Sequence, residues 1–200
     1  MNFTKVKEAL RRRGYAVSCF ETGKEAADYL NHEIDGVSVG FGGSMTLKEL
    51  GLYEKLCAHN TVLSHWNAPE NVDAAEMTRR AAASDVYLCS ANALAETGEI
   101  LNIDGTGNRI SSMLYGHKKV YFVIGKNKIA PDYEGALWRA RNIAAPKNAK
   151  RLNRKTPCVA DGRSHDCSSP ERICRGLAVL WEKMGSCEME VVLIDEDLGY

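Results

Sequence analysis

Apolar residues along the 200-residue chain follow two different spacings, and this pattern predicts an α/β protein. Spacings of three or four residues, typical of helices, occur in segments 3–13, 23–31, 44–56, 70–83 and 171–184. Short apolar runs, typical of buried strands, occur at 15–20, 36–41, 61–66, 85–89, 119–124 and 190–194. Because strands alternate with helices, we expect a mostly parallel sheet flanked by helices on both faces.

One compositional break interrupts the alternation. From about residue 145 to 170, Lys, Arg, Asn, Pro, Ser and Cys replace the apolar periodicity, which predicts an irregular excursion from a single domain spanning residues 1–200. Long irregular segments in compact domains are usually functional or disordered.

The overall charge and the cysteine content limit the functional classes. The 26 basic and 26 acidic residues cancel, which argues against nucleic-acid or anionic-membrane partners. No apolar run approaches the roughly 20 residues of a membrane-spanning helix, and the N-terminus lacks a signal-peptide core. Seven cysteines, an odd number partly placed in apolar runs, argue against a disulfide framework. We therefore expect a cytoplasmic protein, and an oligomer remains open.

Segment 90–109 combines polar side chains with glycines directly after the apolar run 85–89. Loops at the carboxyl ends of strands are where open α/β sheets bind their ligands. Arg109 opens a helix-like run and suits bidentate binding of a carboxylate or phosphate. The predicted ligand-binding residues of this segment are Thr97, Gly98, Asn102, Asp104, Asn108 and Arg109. The alternative is a loop of solvated carboxylates and turn glycines.

A second glycine-containing turn, at 39–46, runs from a predicted strand into a predicted helix. Its backbone N–H groups suit an anion at the helix N-terminus. The candidate ligand-binding residues here are Gly40, Gly42, Gly43, Ser44 and Thr46. The turn lacks the third glycine of a dinucleotide fingerprint and the Gly-Lys-Ser/Thr of a phosphate-binding P-loop. The alternative is a tight turn capped by serine.

Several separated motifs together resemble the LUD domain, the family of lactate utilization proteins B and C. They are Gly40-Phe-Gly-Gly-Ser-Met-Thr46, Asn92-Ala-Leu-Ala-Glu-Thr-Gly98 and segments 102–109, 123–129 and 195–200. The resemblance implies the fold of ribose-5-phosphate isomerase, glucosamine-6-phosphate deaminase and CoA transferases. It also implies a role in lactate or related carboxylate metabolism beside an iron–sulfur partner subunit.

The resemblance further implies a candidate nucleophile. CoA transferases of this fold use a glutamate, which corresponds to Glu96, and a Gly-x-Gly-Gly oxyanion turn, which corresponds to Gly40–Gly43. Thr97 replaces the amide side chain of that motif, and the chain is shorter than a two-domain transferase. Binding of a small anionic metabolite is therefore favoured over transferase or thioesterase chemistry. A non-catalytic subunit that docks an iron–sulfur partner is the remaining alternative.

The irregular excursion carries a candidate metal site. It resembles a segment with four cysteines in many LUD proteins and retains Cys158, Cys167 and Cys174. Ser164 stands where the second cysteine would fall, and His165 lies beside it. Three thiolates and this histidine predict a zinc or iron site. The alternative is a loop packed through apolar thiols.

Overall fold

A computed structural model of the chain describes residues 2–200 and contains two sheets. The helices are α1 (Thr4–Arg12), α2 (Gly23–Glu33), α3 (Met45–Glu49), α4 (Leu52–Cys57), α5 (Ala74–Ala81), α6 (Asn108–Leu114), α7 (Tyr133–Arg139), α8 (Ala145–Arg151) and α9 (Pro157–Asp161). The strands are β1 (Ala16–Phe20), β2 (Ser38–Phe41), β3 (Thr61–Ser64), β4 (Val86–Cys89), β5 (Ala93–Ala95), β6 (Ile100–Asp104), β7 (Lys119–Gly125), β8 (Ile129–Ala130), β9 (Gly176–Leu180) and β10 (Glu188–Ile194).

The larger sheet has six parallel strands in the order β1-β10-β7-β4-β2-β3. Side chains of its central strands alternate between two apolar clusters. Phe122 of β7 belongs to the cluster that contains Leu10 of α1, whereas Val123 belongs to the cluster that contains Leu30 of α2. Both faces are therefore buried, as a parallel sheet requires. This arrangement confirms the predicted α/β fold with a mostly parallel sheet flanked by helices.

The smaller sheet has the order β8-β5-β6-β9 and forms an additional layer. Leu94 and Ile100 on one face belong to the same apolar cluster as Phe122 of the main sheet. On the other face, Ala93 packs with Ala136 of α7 and with Ala140 of the π-helix Ala140–Ala144. The small alanine side chains allow close approach of this helix to the sheet.

Two predictions of secondary structure are wrong. The segment 171–184 is not a helix, because Gly176–Leu180 forms β9, which pairs antiparallel with β6. The segment 90–109 is not a plain loop, because β5 and β6 form a hairpin within it. The strands β5, β6 and β9 within these segments have only three to five residues, and periodicity alone does not identify a strand in so short a run.

Two other predicted segments differ in detail. The excursion 145–170 contains α8 and α9, so only part of it is irregular. The helix predicted after the glycines at 42–43 is divided into α3 and α4 at Gly51, whose φ of 60° is left-handed. In residues 2–200, no helix has the length and apolar character needed to cross a bilayer.

Gly40 has a packing role that leads to the first prediction. A Cβ atom at Gly40 would clash with the carbonyl oxygen of Ala81 and lie 2.6 Å from Ser84 Oγ. We expect Gly40→Ala to lower the free energy of unfolding by about 1–3 kcal/mol, because the neighbouring backbone must move. Gly185→Ala is the control, since nothing lies within 4 Å of its Cβ position. Urea unfolding of both variants measures the difference; equal stabilities would contradict the prediction.

Candidate anion-binding site

A cleft of about 470 Å³ lies beyond the carboxyl edge of the larger sheet. The segments that follow β2, β3 and β4 contribute Gly43, Trp66 and Asn92 to its wall. The rest of the wall comes from the turn before α6, from α8 and from the segment before β9. The position agrees with the general placement of ligand sites in open α/β sheets.

The wall of this cleft is strongly cationic. Among the described residues, five lining arginines face two lining carboxylates, and we call the cavity the arginine cleft. The arginines are Arg109, Arg151, Arg154, Arg172 and Arg175. The carboxylates belong to Asp104 and Glu171. Burial, assisted by the charge of Arg151, lowers the pKa of the lining His65, which favours its neutral form. The cleft therefore concentrates positive charge on a chain whose net charge is zero.

Most of these arginines have no carboxylate partner. Arg172 pairs with Asp166 at 2.7 Å, but the other four form no ion pair within residues 2–200. Arg175 donates only to backbone carbonyls, and the side chain of Arg154 has no hydrogen-bond partner among the same residues. Their charges remain available to a ligand.

Arg151 is held in place by uncharged groups. Its Nε donates to the Tyr200 hydroxyl at 2.7 Å and to Asn148 Oδ1 at 3.1 Å. Its guanidinium carbon lies 5.1 Å from the centre of the Trp66 ring. These contacts orient the guanidinium without neutralising it.

Arg109 is fixed on the opposite side through one nitrogen. Its Nη2 donates to the carbonyl of Ile103 at 2.6 Å and to Asn92 Oδ1 at 3.2 Å. Asn92 Oδ1 also accepts the N–H of Ile103 at 2.7 Å. Within residues 2–200, Nη1 and Nε of Arg109 have no recorded partner, so they remain free for an anion.

Asp104 acts as a helix cap. Its two carboxylate oxygens accept the N–H groups of Thr106, Gly107, Arg109 and Ile110 at 3.0–3.2 Å. Burial alone would raise the pKa of Asp104, but Arg109 and these N–H groups outweigh it and lower the pKa. Asp104 thus holds the start of α6, and with it Arg109, at the cleft.

Asn102 is fully buried and also has a supporting role. Its Oδ1 accepts the N–H of Asn92 at 3.0 Å, and its Nδ2 donates to the carbonyl of Ser90 at 3.2 Å. It therefore holds the strand-end segment after β4 rather than facing a ligand. Asn108, by contrast, lines the arginine cleft directly.

A small chamber of about 30 Å³ adjoins the arginine cleft, and Lys128 lies in its wall. It shares Gly43, Asn92, Arg109 and Arg151 with the cleft, and we call it the inner chamber. Lys128, the last residue of a 3₁₀ helix after β7, is only 3% exposed. Lys128 was not among the site residues predicted from the sequence. Its signal was a lysine inside the 123–129 motif, directly after an apolar strand.

The environment of Lys128 favours its neutral form. Its Nζ donates to Thr46 Oγ1 at 2.8 Å and to Ser90 Oγ at 3.0 Å. Burial, reinforced by the charges of Arg139 and Arg109, lowers the pKa of Lys128 to about 7. Perturbed pKa values of this size are common at functional sites.

The predicted glycine turn reaches the site in part. Gly43 lines both cavities, and Ser44 lines the inner chamber and caps α3 by accepting the N–H of Leu47 at 3.3 Å. Gly42 lines a neighbouring cavity, and its N–H is bonded to the carbonyl of Leu88 at 2.9 Å. Thr46 holds Lys128 and donates to the carbonyl of Leu198 at 3.2 Å.

The structure does not bring Glu96, Thr97 and Gly98 to the arginine cleft. They form the turn of the β5–β6 hairpin, which contacts α1 and the residue that follows it. Glu96 Oε2 accepts from Lys5 Nζ at 2.7 Å, and the Thr97 carbonyl accepts from Arg13 Nε at 2.8 Å. Residues 90–109 were predicted to be a loop. Because β5 and β6 instead form a hairpin, residues 96–98 lie at its turn and not in the wall of the cleft with Gly43.

The predicted metal ligands surround one small cavity of about 20 Å³. Cys158, His165, Cys167 and Cys174 all line it. However, within residues 2–200 the structure contains no cluster of three or more Asp, Glu, His or Cys side chains placed to bind one metal ion. His165 Nε2 instead lies 2.7 Å from Asp161 Oδ2. A zinc or iron site in this segment stays a prediction of the sequence.

The structure is that of an α/β protein with a cationic cleft at the carboxyl edge of a parallel sheet. The family model of the LUD domain matches residues 3–194, so the chain belongs to the LUD domain family, which is associated with lactate utilization. A DUF162 family protein from Deinococcus radiodurans, solved by crystallography, has a similar fold, with a TM-score of 0.52. It is 13% identical, and the match covers 97% of this chain and 99% of that one. No curated protein matches significantly.

The role of Asp104 gives the second prediction. Asp104→Asn removes the charge and one acceptor oxygen, and we expect a loss of about 1–2 kcal/mol in unfolding free energy at pH 7. Because the pKa of Asp104 is lower in the folded state, its charge stabilises the protein above the unfolded pKa of about 3.9. That stabilisation disappears as the pH falls through the folded pKa.

Urea unfolding between pH 7 and pH 2.5 measures this dependence. The difference between wild type and Asp104→Asn is expected to narrow below about pH 4. Asp73→Asn is the matched control, because Asp73 begins α5 without a side-chain capping bond. A difference that is independent of pH would contradict the assignment.

Proposed function

We propose that this LUD-domain protein binds a small anionic metabolite in the arginine cleft. The observation that supports this most directly is the excess of five arginines over two carboxylates on the wall of one cavity. Unpaired cations repel one another, and an anionic ligand compensates their charge. The chain has no net charge, so the excess belongs to this cavity and not to the whole surface.

The chemistry of the wall favours carboxylate or phosphate groups. Guanidinium groups bind both in a bidentate geometry, with charge-assisted hydrogen bonds. Arg109, Arg151 and Arg154 have nitrogen atoms with no protein partner among the described residues. A volume of about 470 Å³ suits a small metabolite, since typical ligand pockets measure roughly 300–1,000 Å³.

The family adds a direction to the ligand search. LUD-domain proteins are associated with lactate utilization, which makes small carboxylates the first compounds to test. Phosphorylated sugars and coenzyme A are the other anions that the wall suits. The two strand-end segments that hold the ligand in this proposal are 42–46 and 90–92, together with the start of α6.

A ligand screen with one cleft variant gives the third prediction. Thermal unfolding is measured with lactate, pyruvate, citrate, phosphoenolpyruvate, ribose 5-phosphate and coenzyme A. At least one anion is expected to raise the melting temperature of the wild type. For that anion, Arg154→Gln is expected to raise the dissociation constant about 10–100-fold, because one charged hydrogen bond is lost.

Arg12→Gln is the matched control, since Arg12 is exposed on α1 and does not line the arginine cleft. It should bind like the wild type. Added salt should weaken binding, because the interaction is largely ionic. The proposal fails if no anion stabilises the wild type, or if the cleft variant and the control bind equally.

A further inference from the structure

Lys128 lines the inner chamber, which adjoins the arginine cleft and shares part of its wall. The chamber holds about 30 Å³, enough for a single small group but not for a whole metabolite. Its wall carries Lys128, Ser90, Arg109 and Arg151. A ligand whose charged part lies in the cleft would therefore present one uncharged group to the lysine.

The hydrogen bonds of Lys128 differ from those of a structural lysine. Both recorded acceptors are hydroxyl oxygens, of Thr46 and Ser90, and Lys128 forms no ion pair within residues 2–200. The hydroxyl proton of Thr46 is donated to the carbonyl of Leu198. Among residues 2–200 the Ser90 hydroxyl has only Lys128 as a hydrogen-bond partner, so it is able to donate to a neutral amine.

Burial and, after it, the neighbouring charges leave about half of the Lys128 amine unprotonated at pH 7. Arg139 of α7 and Arg109 of α6 lower the pKa of Lys128, and Glu49 of α3 opposes them weakly. The thiol of Cys89 faces it from β4, and burial raises the pKa of that thiol to about 12. At pH 7 the neutral fraction is roughly a thousandfold higher than for an ordinary lysine of pKa about 10.4. Desolvation beside other cations is an established way to activate a lysine.

We propose that Lys128 is a nucleophile that forms an imine with the carbonyl carbon of an anionic oxo compound, such as a 2-oxo acid, held in the arginine cleft. The inference rests on the proposed function and adds the class of substrate. The Nζ lone pair attacks the carbonyl carbon and forms the N–C bond as the C=O π bond breaks, and one N–H proton passes to the oxygen to give a carbinolamine. A second proton, taken from solvent, allows that oxygen to leave as water, and a protonated imine remains, with no oxidant or reductant required.

In this proposal, different residues of the two cavities bind the anion, orient Nζ and transfer the proton. Arg151 and Arg154 hold the carboxylate or phosphate in the cleft, where their charges are unpaired. Ser90 and Thr46 orient Nζ toward the inner chamber. Proton transfer to the departing oxygen falls to Ser90, whose hydroxyl lines the chamber beside the amine.

Carbamoylation by cyanate tests the nucleophile without requiring the substrate. Isocyanic acid, the protonated form of cyanate, adds to neutral amines, with the amine N–H proton passing to its nitrogen, so each rate is expressed per concentration of isocyanic acid. The wild-type protein is treated at several pH values, and each lysine is followed by peptide mass spectrometry. At pH 7.5 Lys128 is expected to react at least about 10-fold faster than the exposed Lys150 of α8, with a half-maximal rate near pH 7.

Trapping with pyruvate and sodium cyanoborohydride tests the imine itself. Reduction converts an imine on Lys128 into a stable secondary amine, which peptide mass spectrometry locates. Lys128→Met should lose the adduct, while Lys150→Met should retain it. Thermal unfolding of both variants without ligand shows whether they are folded. Glyoxylate, 2-oxoglutarate and glyceraldehyde 3-phosphate are tested in the same way.

The outcomes separate this inference from the proposed function. Anion binding that depends on Arg154, together with an adduct on Lys128, supports both. Anion binding without an adduct from any of the four oxo compounds overturns the role of Lys128 and leaves the proposed function standing. Carbamoylation of Lys128 no faster than that of Lys150 also overturns it. Absence of any stabilising anion overturns both proposals.

Discussion

The parallel pairing of β4 with its neighbours β2 and β7 is the constraint on which the site depends. Phe41 pairs with Leu88, and Cys89 pairs with Phe122, so the three strands end at the same edge of the sheet. The segments that follow them carry the glycine turn, Ser90 with Asn92, and Lys128. Residues about 40 positions apart in sequence thus meet because the strands run in one direction.

The smaller sheet completes the site through a buried arginine. Arg139 of α7 donates to the carbonyl of Asn127 at 2.8 Å and to the carbonyl of Asn92. It thereby joins the segments after β4 and β7 to the helix that covers β5. Burial lowers the pKa of Arg139 to about 10, which still leaves it charged at pH 7, and that charge acts on Lys128. One side chain therefore ties the second layer to the first and sets the electrostatics of the inner chamber.

Sequence patterns predicted the sheet and part of the wall of the cleft. The six strands of the larger sheet follow from apolar runs that are buried on both faces, so their hydrophobic signal is strong. Gly43, Ser44, Asn108 and Arg109 were predicted as ligand residues because each follows a strand or begins a helix, and the structure places them at the two cavities.

The remaining part of the site depends on contacts that no local pattern contains. Glu96 lies in the turn of the β5–β6 hairpin, where it accepts a hydrogen bond from Lys5 of α1. The hairpin was not predicted from the sequence, because β5 has only three residues. Arg151 and Arg154 lie in and just after a helix that the polar composition of residues 145–170 concealed. Lys128 was not predicted because most lysines are exposed, and only the fold shows that this one is buried. Docking of an iron–sulfur partner remains a prediction of the family resemblance.

Arg109 lines the cleft and also, together with burial and Arg139, lowers the pKa of Lys128, and this restricts which ligands suit the site. A carboxylate placed directly against Nζ would raise the pKa of Lys128 and protonate it, which would remove its nucleophilicity. A ligand with its charge on Arg151 and Arg154 and its carbonyl group in the inner chamber avoids this conflict. The chamber, at about 30 Å³, favours that orientation by size, since it admits a carbonyl group but not a whole metabolite. The division of the cavity into a wide cationic cleft and a narrow chamber is therefore what makes anion binding and a neutral lysine compatible in one site.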